Sequence, residues 1–179
     1  MSSPNTSYSM SQNLIPICVT GLNALTGLLD NAAAHAAAKK IDPSVLLGWR
    51  LAPDMFAFAR QVQVACDQAK NGASRLAGIE PPKFEDTETS IDQLKERVAR
   101  TLAHVKTLDA AAIDAASGRE IVFPLGPKKA KMNGADYLNH FVLPNFFFHL
   151  TATYAIARNF GTDLTKRDFL GAIPMTMTE

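Results

Sequence analysis

Apolar residues recur at helical spacing in four separate stretches of this chain. In the first, Cys18, Leu22, Leu25, Leu29, Ala32 and Ala36 alternate steps of four and three, which lays them along one stripe of an α-helix. Pro16 fits near the first turn of that helix, where its missing N–H is not needed. Around His35, Ala32 to Ala38 is almost all alanine, so a neighbouring backbone can approach closely. Lys39 and Lys40 suit the negative end of the helix dipole. Asp42 to Arg50 then reads as a connector with room for a short helical turn. Pro53 and Asp54 open a second helix with the stripe Met55, Phe58 or Ala59, Val62, Cys66, Ala69, Ala73 and Leu76. Gly78 closes it, and Pro81 and Pro82 prevent its continuation.

Glu80 to Thr89 follows as an extended acidic linker. Ser90, with Gln93 three residues on, reads as a capping box for a third helix carrying Ile91, Leu94, Val98, Leu102, Val105 and Leu108 on one face. Between Asp109 and Asn133 the helical period is lost. There Glu120 to Leu125 is β-prone, and Gly126 and Pro127 lead into a second short run, which predicts a two-stranded ribbon. The fourth helix starts near Asn133 or Gly134 and stops at Gly161. Thr162 to Glu179 shows no periodicity, and the two ends, 1–7 and 173–179, are expected to be flexible.

Polar chemistry enters the core on the fourth helix. Phe146, Phe147 and Phe148 cover more than half its circumference, so it must be apolar on several sides, as in a central or interfacial helix. Among them stand Tyr137, His140, Asn145 and His149. Asn145 and His149 share a face, whereas His140 and His149 point to nearly opposite sides unless Pro144 changes the phase. Four long helices with one long crossover, and no repeat of fixed period, predict an all-α four-helix bundle with a small β-ribbon before the last helix.

Composition narrows the partners. With 179 residues, 47% hydrophobic and 20% charged, the chain suits one globular domain, 1–179. Lys plus Arg number 18 against 17 Asp plus Glu, which removes the main electrostatic reason to expect nucleic acid or an anionic membrane. The densest basic cluster, Lys128, Lys129 and Lys131, is short and falls in the expected ribbon. Cys18 and Cys66 occupy apolar positions of different helices, as buried free thiols of a reducing compartment do. No targeting segment is recognisable and no window reads as a membrane span, so a soluble, cytoplasmic protein is expected.

Five motifs in order carry a family resemblance: IDPSVLLGWRLAPDMF from Ile41, RQVQVACD from Arg60, KFEDT from Lys83, HFVLPNFFFH from His140 and RDFLG from Arg167. From about Tyr8 to Gly171 the chain resembles a domain-of-unknown-function family of the DinB/YfiT-like metalloenzyme superfamily. The resemblance implies a DinB-like four-helix bundle, frequently homodimeric. Enzymes of that superfamily hold a divalent metal with three histidines, one from the second helix and two, four apart, from the last. Here the matching pair is Asn145 and His149, with Gln61 near the place of the third. An amide oxygen is a weaker donor to zinc or nickel than imidazole, so a degenerate site without a metal cofactor is expected. Gln61, Asn145 and His149 would then form a hydrogen-bonded polar network.

The remaining candidates have simple alternatives. His140 could move a proton, although a lone helical histidine is more often packed or interfacial. His35 is expected to reach the surface and His104 to have no role. Asp54 reads as a helix cap, and Trp49 beside Arg50 as an anchor near a pocket mouth. Asp67, near the second stripe, needs a partner such as Arg60 or Tyr137 if it is not simply exposed. Cys66 is a weak nucleophile candidate, because a neighbouring carboxylate raises a thiol pKa. No nucleotide fingerprint, phosphate loop or nucleophile elbow is present. Three readings follow. The preferred one is a homodimeric protein binding a small apolar ligand near His149 and Gln61, with Asn145, Asp67, Tyr137 and Trp49 as further ligand-binding candidates. The second is a metal-independent isomerase or cyclase type of enzyme using His149 or His140. The third is a divalent-metal enzyme with an unusual ligand set drawn from His149, Asp67 and another carboxylate or amide.

Overall fold

The computed structural model describes residues 9–176 and 178. The expectation of a flexible stretch at 1–7 lies outside the described residues, as do residues 177 and 179 of the C-terminal one. The elements in chain order are α1 (Met10–Lys39), α2 (Pro43–Gly48), α3 (Phe58–Leu76), α4 (Ile91–Lys106), α5 (Ala110–Asp114), β1 (Glu120–Leu125), β2 (Lys128–Asn133), α6 (Gly134–Asp136), a π-helical turn (Tyr137–Val142), α7 (Leu143–Asn159) and α8 (Lys166–Leu170). The fold is a helical bundle built on α1, α3, α4 and α7, with one small two-stranded sheet.

In the bundle α1 packs on α4 and α7, and α3 packs on the same two helices, so α1 and α3 lie across one diagonal and α4 and α7 across the other. The α4-to-α7 connection is therefore the long crossover, and it carries α5 and the ribbon. The stripes read from the sequence form the core: Cys18, Leu22, Leu25, Leu29, Val62, Cys66, Ala69, Leu94 and Val98 are all fully buried. Both cysteines are free.

Three helix boundaries differ from expectation. Helix α1 begins two turns earlier than Pro16 suggested, because Ser9 and Gln12 form a capping box that satisfies the first donors, and Pro16 lies inside the helix. Pro53 and Asp54 do not open α3. Residues 49–57 fold back on themselves, with the Arg50 guanidinium on the Met55 carbonyl and the Phe58 N–H on the Trp49 carbonyl at 2.9 Å, and α3 starts at Phe58. The tail holds the short helix α8, set by a second capping box between Thr165 and Asp168. Elsewhere Ser90 caps α4 as expected, but the Gln93 side chain turns to the Thr89 N–H.

The ribbon pairs β1 with β2 antiparallel from Glu120 opposite Asn133 to Leu125 opposite Lys128. Ile121 and Phe123 point inward, and Phe123 packs on Tyr137 and Phe141 at 4.7 and 4.5 Å between ring centroids. The last rod changes pitch before Pro144: the Leu143 N–H reaches back five residues to the Leu138 carbonyl, the wider turn of a π-helix. By length and apolarity, α1 also meets the requirement for a membrane span, which the sequence reading did not anticipate, and 44% of its most apolar window is buried in the bundle.

Candidate functional site

Helices α3 and α7 bring Gln61 and His149 together in the bundle. Their side chains are 1% and 7% exposed, and His149 Nδ1 lies 2.7 Å from Gln61 Oε1. The Gln61 amide is oriented by a second bond, from its Nε2 to the Phe56 carbonyl at 3.2 Å. Its oxygen therefore faces the ring, so His149 Nδ1 carries the hydrogen and donates it, while Nε2 keeps a lone pair. Burial, with a smaller effect from the Arg60 cation, pushes the His149 pKa down to about 4. The ring is neutral near pH 7.

The walls of this pair are aromatic. Phe56 stacks on the imidazole at 6.3 Å with an interplanar angle of 18°, and Phe148 meets it edge-on at 5.2 Å. Arg60 lies over the outer Phe56 ring, 5.8 Å from its centroid. Phe148 also lines an apolar groove of about 390 Å³ with Leu51, Met55, Pro144, Phe147 and Thr151. Of the three consecutive phenylalanines only Phe146 is buried, and Phe147 and Phe148 are 40% and 57% exposed.

The other candidates are dispersed. Asn145 does not join the network: its Nδ2 donates to the Phe141 carbonyl of its own helix at 2.7 Å, so the expected trio is a pair. His140 is exposed, with Nε2 3.9 Å from Asp136 Oδ1, on a different side of the rod from the buried His149. Tyr137 is buried beside Phe123 and Phe141, where Arg75 Nη1 donates to its hydroxyl at 3.2 Å. Trp49 donates Nε1 to Asn159 Oδ1 at 2.9 Å and packs edge-on against Phe160, an anchor at the far end of α7. Asp67 is neither simply exposed nor paired with Arg60 or Tyr137. Its carboxylate accepts from Arg97 Nη2 at 3.0 Å and lies 3.7 Å from Lys70 Nζ, yet burial raises its pKa more than these cations lower it. His104, assigned no role from sequence, bonds to the buried Ser74 hydroxyl at 2.7 Å. Burial pushes the Cys66 thiol up to about 12, which disfavours the thiolate that a nucleophile needs.

The family whose model matches residues 10–170 is described as Domain of unknown function (DUF1993). The chain belongs to the DUF1993 family. Among solved structures, this DUF1993 chain is similar to the crystal structure of a DinB family member protein from Shewanella denitrificans at 1.83 Å resolution. The two share 35% identity over 94% of this chain and 95% of that one, with a TM-score of 0.87. No curated protein matches.

The three-histidine metal set that the resemblance implies does not fit the residues that stand here. The Gln61 oxygen is taken by His149, Asn145 offers only an amide oxygen, a weaker donor than a ring nitrogen, and His149 alone of the three supplies a free imidazole nitrogen. Among the described residues, no group of three or more His, Cys, Asp or Glu side chains converges as a metal ligand set.

Two features of this DUF1993 chain escaped the sequence reading. Phe56 and Arg60 lay inside the quoted motifs, but nothing in their spacing placed Phe56 over His149 or Arg60 over Phe56. Arg97, which follows the third-helix stripe one position before Val98, has a fully buried side chain that draws in Asp67, Asp86 and Glu88. The acidity of the linker was the available signal for it.

Proposed function

We propose that this protein is a homodimeric binder of a small, mainly apolar ligand that offers one hydrogen-bond donor to His149 Nε2. The observation that carries this reading is the fixed tautomer. Gln61 occupies Nδ1, and burial keeps the ring neutral, so Nε2 stands as an acceptor without a partner among the described residues. Phe56 and Phe148 flank the ring with aromatic surface, which supports an apolar ligand body. A proton-transfer role is less well supported, because an imidazole held near pKa 4 is a weak base at neutral pH and is rarely protonated to act as an acid.

Phenol, an aromatic ring with one O–H donor, is a suitable probe. Titrating it into 15N-labelled protein should move the His149 Nε2 resonance, and His149→Phe should abolish saturable binding. Absence of saturable binding to the parent, or equal binding to the variant, overturns the ligand reading.

For dimerisation the supporting surface is an apolar groove of about 310 Å³ lined in part by Pro16, Ile17, Phe147, Leu150, Phe169 and Leu170. A light-scattering mass of two chains is expected at micromolar concentration, falling to one in Phe147→Glu. A parent mass of one chain removes the dimer from this reading.

A further inference from the structure

The linker from Glu80 to Thr89 is clamped to the bundle chiefly by the Arg97 guanidinium, with Lys70 Nζ on the Pro82 carbonyl at 2.6 Å and Gln63 Nε2 on Glu88 Oε2 at 2.9 Å beside it. Arg97 Nη1 donates to Glu88 Oε1 at 2.9 Å and to the Glu85 carbonyl at 3.0 Å, and Nη2 lies 2.9 Å from Asp86 Oδ1 and 3.0 Å from Asp67 Oδ1. The linker's Phe84 ring is surrounded by cations, with Lys70, Arg97 and Arg100 at 4.9, 5.9 and 4.1 Å from its centroid. Asp86 has a second partner, since its Oδ2 accepts from Arg60 Nη1. Arg60 is the cation that lies over Phe56, the ring stacked on His149. The Asp86 carboxylate thus connects the buried clamp directly to the outer wall of the imidazole pair, beside a longer route through Gln63, which accepts from Arg60 Nη1 at 3.3 Å and donates to Glu88 Oε2 at 2.9 Å.

We propose that Asp86 is a latch on the His149 site: held by Arg97, it fixes Arg60 against Phe56 and so sets the wall that a ligand meets beside the imidazole. This rests on the reading of His149 as a ligand site, and Asp86 acts in it as a positioning residue. The two arms of the latch differ in environment. The Arg97 side chain is 0% exposed, whereas Arg60 and Asp86 are 40% and 39% exposed, so salt screens the outer arm much more than the inner one.

The test compares the parent chain with Asp86→Asn and with Lys83→Ala, which alters an exposed linker ion pair away from the latch. The readouts are the His149 and Phe56 ring resonances and the phenol dissociation constant, at 50 mM and 1 M KCl. Expected are shifted ring resonances and at least threefold weaker phenol binding in Asp86→Asn, with neither change in Lys83→Ala. In the parent, 1 M KCl should move the same resonances in the same direction, a readout that holds even if Asp86→Asn does not fold. Unmoved rings in both Asp86→Asn and the high-salt parent overturn the latch. If the parent binds no phenol, the ligand reading fails alone, because the ring shifts still decide whether Asp86 controls the wall.

Discussion

His149 Nδ1 and Gln61 Oε1 meet at 2.7 Å across 88 positions of sequence, and that bond sets which ring nitrogen faces outward. Gln61→Leu removes the acceptor and leaves a buried N–H without a partner. The expected cost is about 1–3 kcal/mol, read as a lower urea midpoint at unchanged slope. The same variant frees the ring to take either tautomer, so 15N shifts of the two ring nitrogens should move toward their average. Unchanged shifts would mean that the protein fixes the tautomer by other means.

The depressed pKa of His149 carries a sign that can be checked. Unfolded, the ring titrates near 6.5; folded, it titrates at about 4. Between these values the unfolded chain holds the extra proton, so stability contributed by the neutral ring is complete above about pH 6.5 and is lost progressively down to about pH 4. The slope from this one group stays below about 1.4 kcal/mol per pH unit, the limit for a single linked proton. Glu88, lowered below the usual carboxylate range chiefly by its hydrogen bond from Arg97 against a desolvation cost, adds to the loss at the acid end; Asp67, raised by burial, works against it. In His149→Phe the part of the slope between pH 6.5 and pH 4 due to this ring should vanish. An identical slope in parent and variant would contradict the assignment.

Arg97 offers the largest single change in stability. Its side chain is fully buried against Asp67, Asp86 and Glu88, so Arg97→Met leaves a cluster of carboxylates without their main cation. The expected destabilisation is about 3 kcal/mol, the low end for a broken buried pair, because Asp86 keeps access to water. Backbone amides of 80–89 should also lose hydrogen-exchange protection ahead of the rest of the bundle. A urea midpoint within error of the parent would show that water replaces the guanidinium at no cost.

The helices were legible in the sequence because their information is local and periodic. Cys18, Leu22 and Leu25, or Ile91, Leu94 and Val98, declare a buried face whatever covers it. The ribbon was legible for the same reason, its β-prone run ending at Gly126 and Pro127. Boundaries were harder where side chains compete for the same backbone groups. Pro16 looked like a helix start because its ring suits one, but the Ser9–Gln12 capping box lies upstream; Pro53 and Asp54 looked like another, but the Trp49 carbonyl takes the Phe58 N–H. Thr165 and Asp168 did spell a capping box that the lack of periodicity around them obscured. The site was least legible, since it depends on contacts between distant segments. Spacing placed Asn145 and His149 on one face, but not the turn of the Asn145 amide toward Phe141, nor Phe56 over the imidazole and Arg60 over Phe56. The linker likewise read only as extended and acidic, and its partner Arg97 stands on α4, where the helical pattern assigned it no part.

The metal question can be decided by restoring what the chain lacks. Gln61 reaches His149 across the bundle, and Asn145 stands one turn before it on α7, at the positions of the three-histidine set that the resemblance implies. Two of the three present amides, whose oxygens bind zinc and nickel weakly beside imidazole nitrogen. Protein purified without chelator should therefore carry far less than one equivalent of zinc or nickel, and a chelator should leave its thermal midpoint unchanged. Gln61→His combined with Asn145→His supplies the two missing imidazoles and should gain close to one equivalent, with a thermal midpoint that rises on adding the metal. Stoichiometric metal in the parent, lost in His149→Ala, would show that the amides serve as ligands after all. No gain in the double variant would show instead that the backbones of α3 and α7 do not present these positions at coordinating distance.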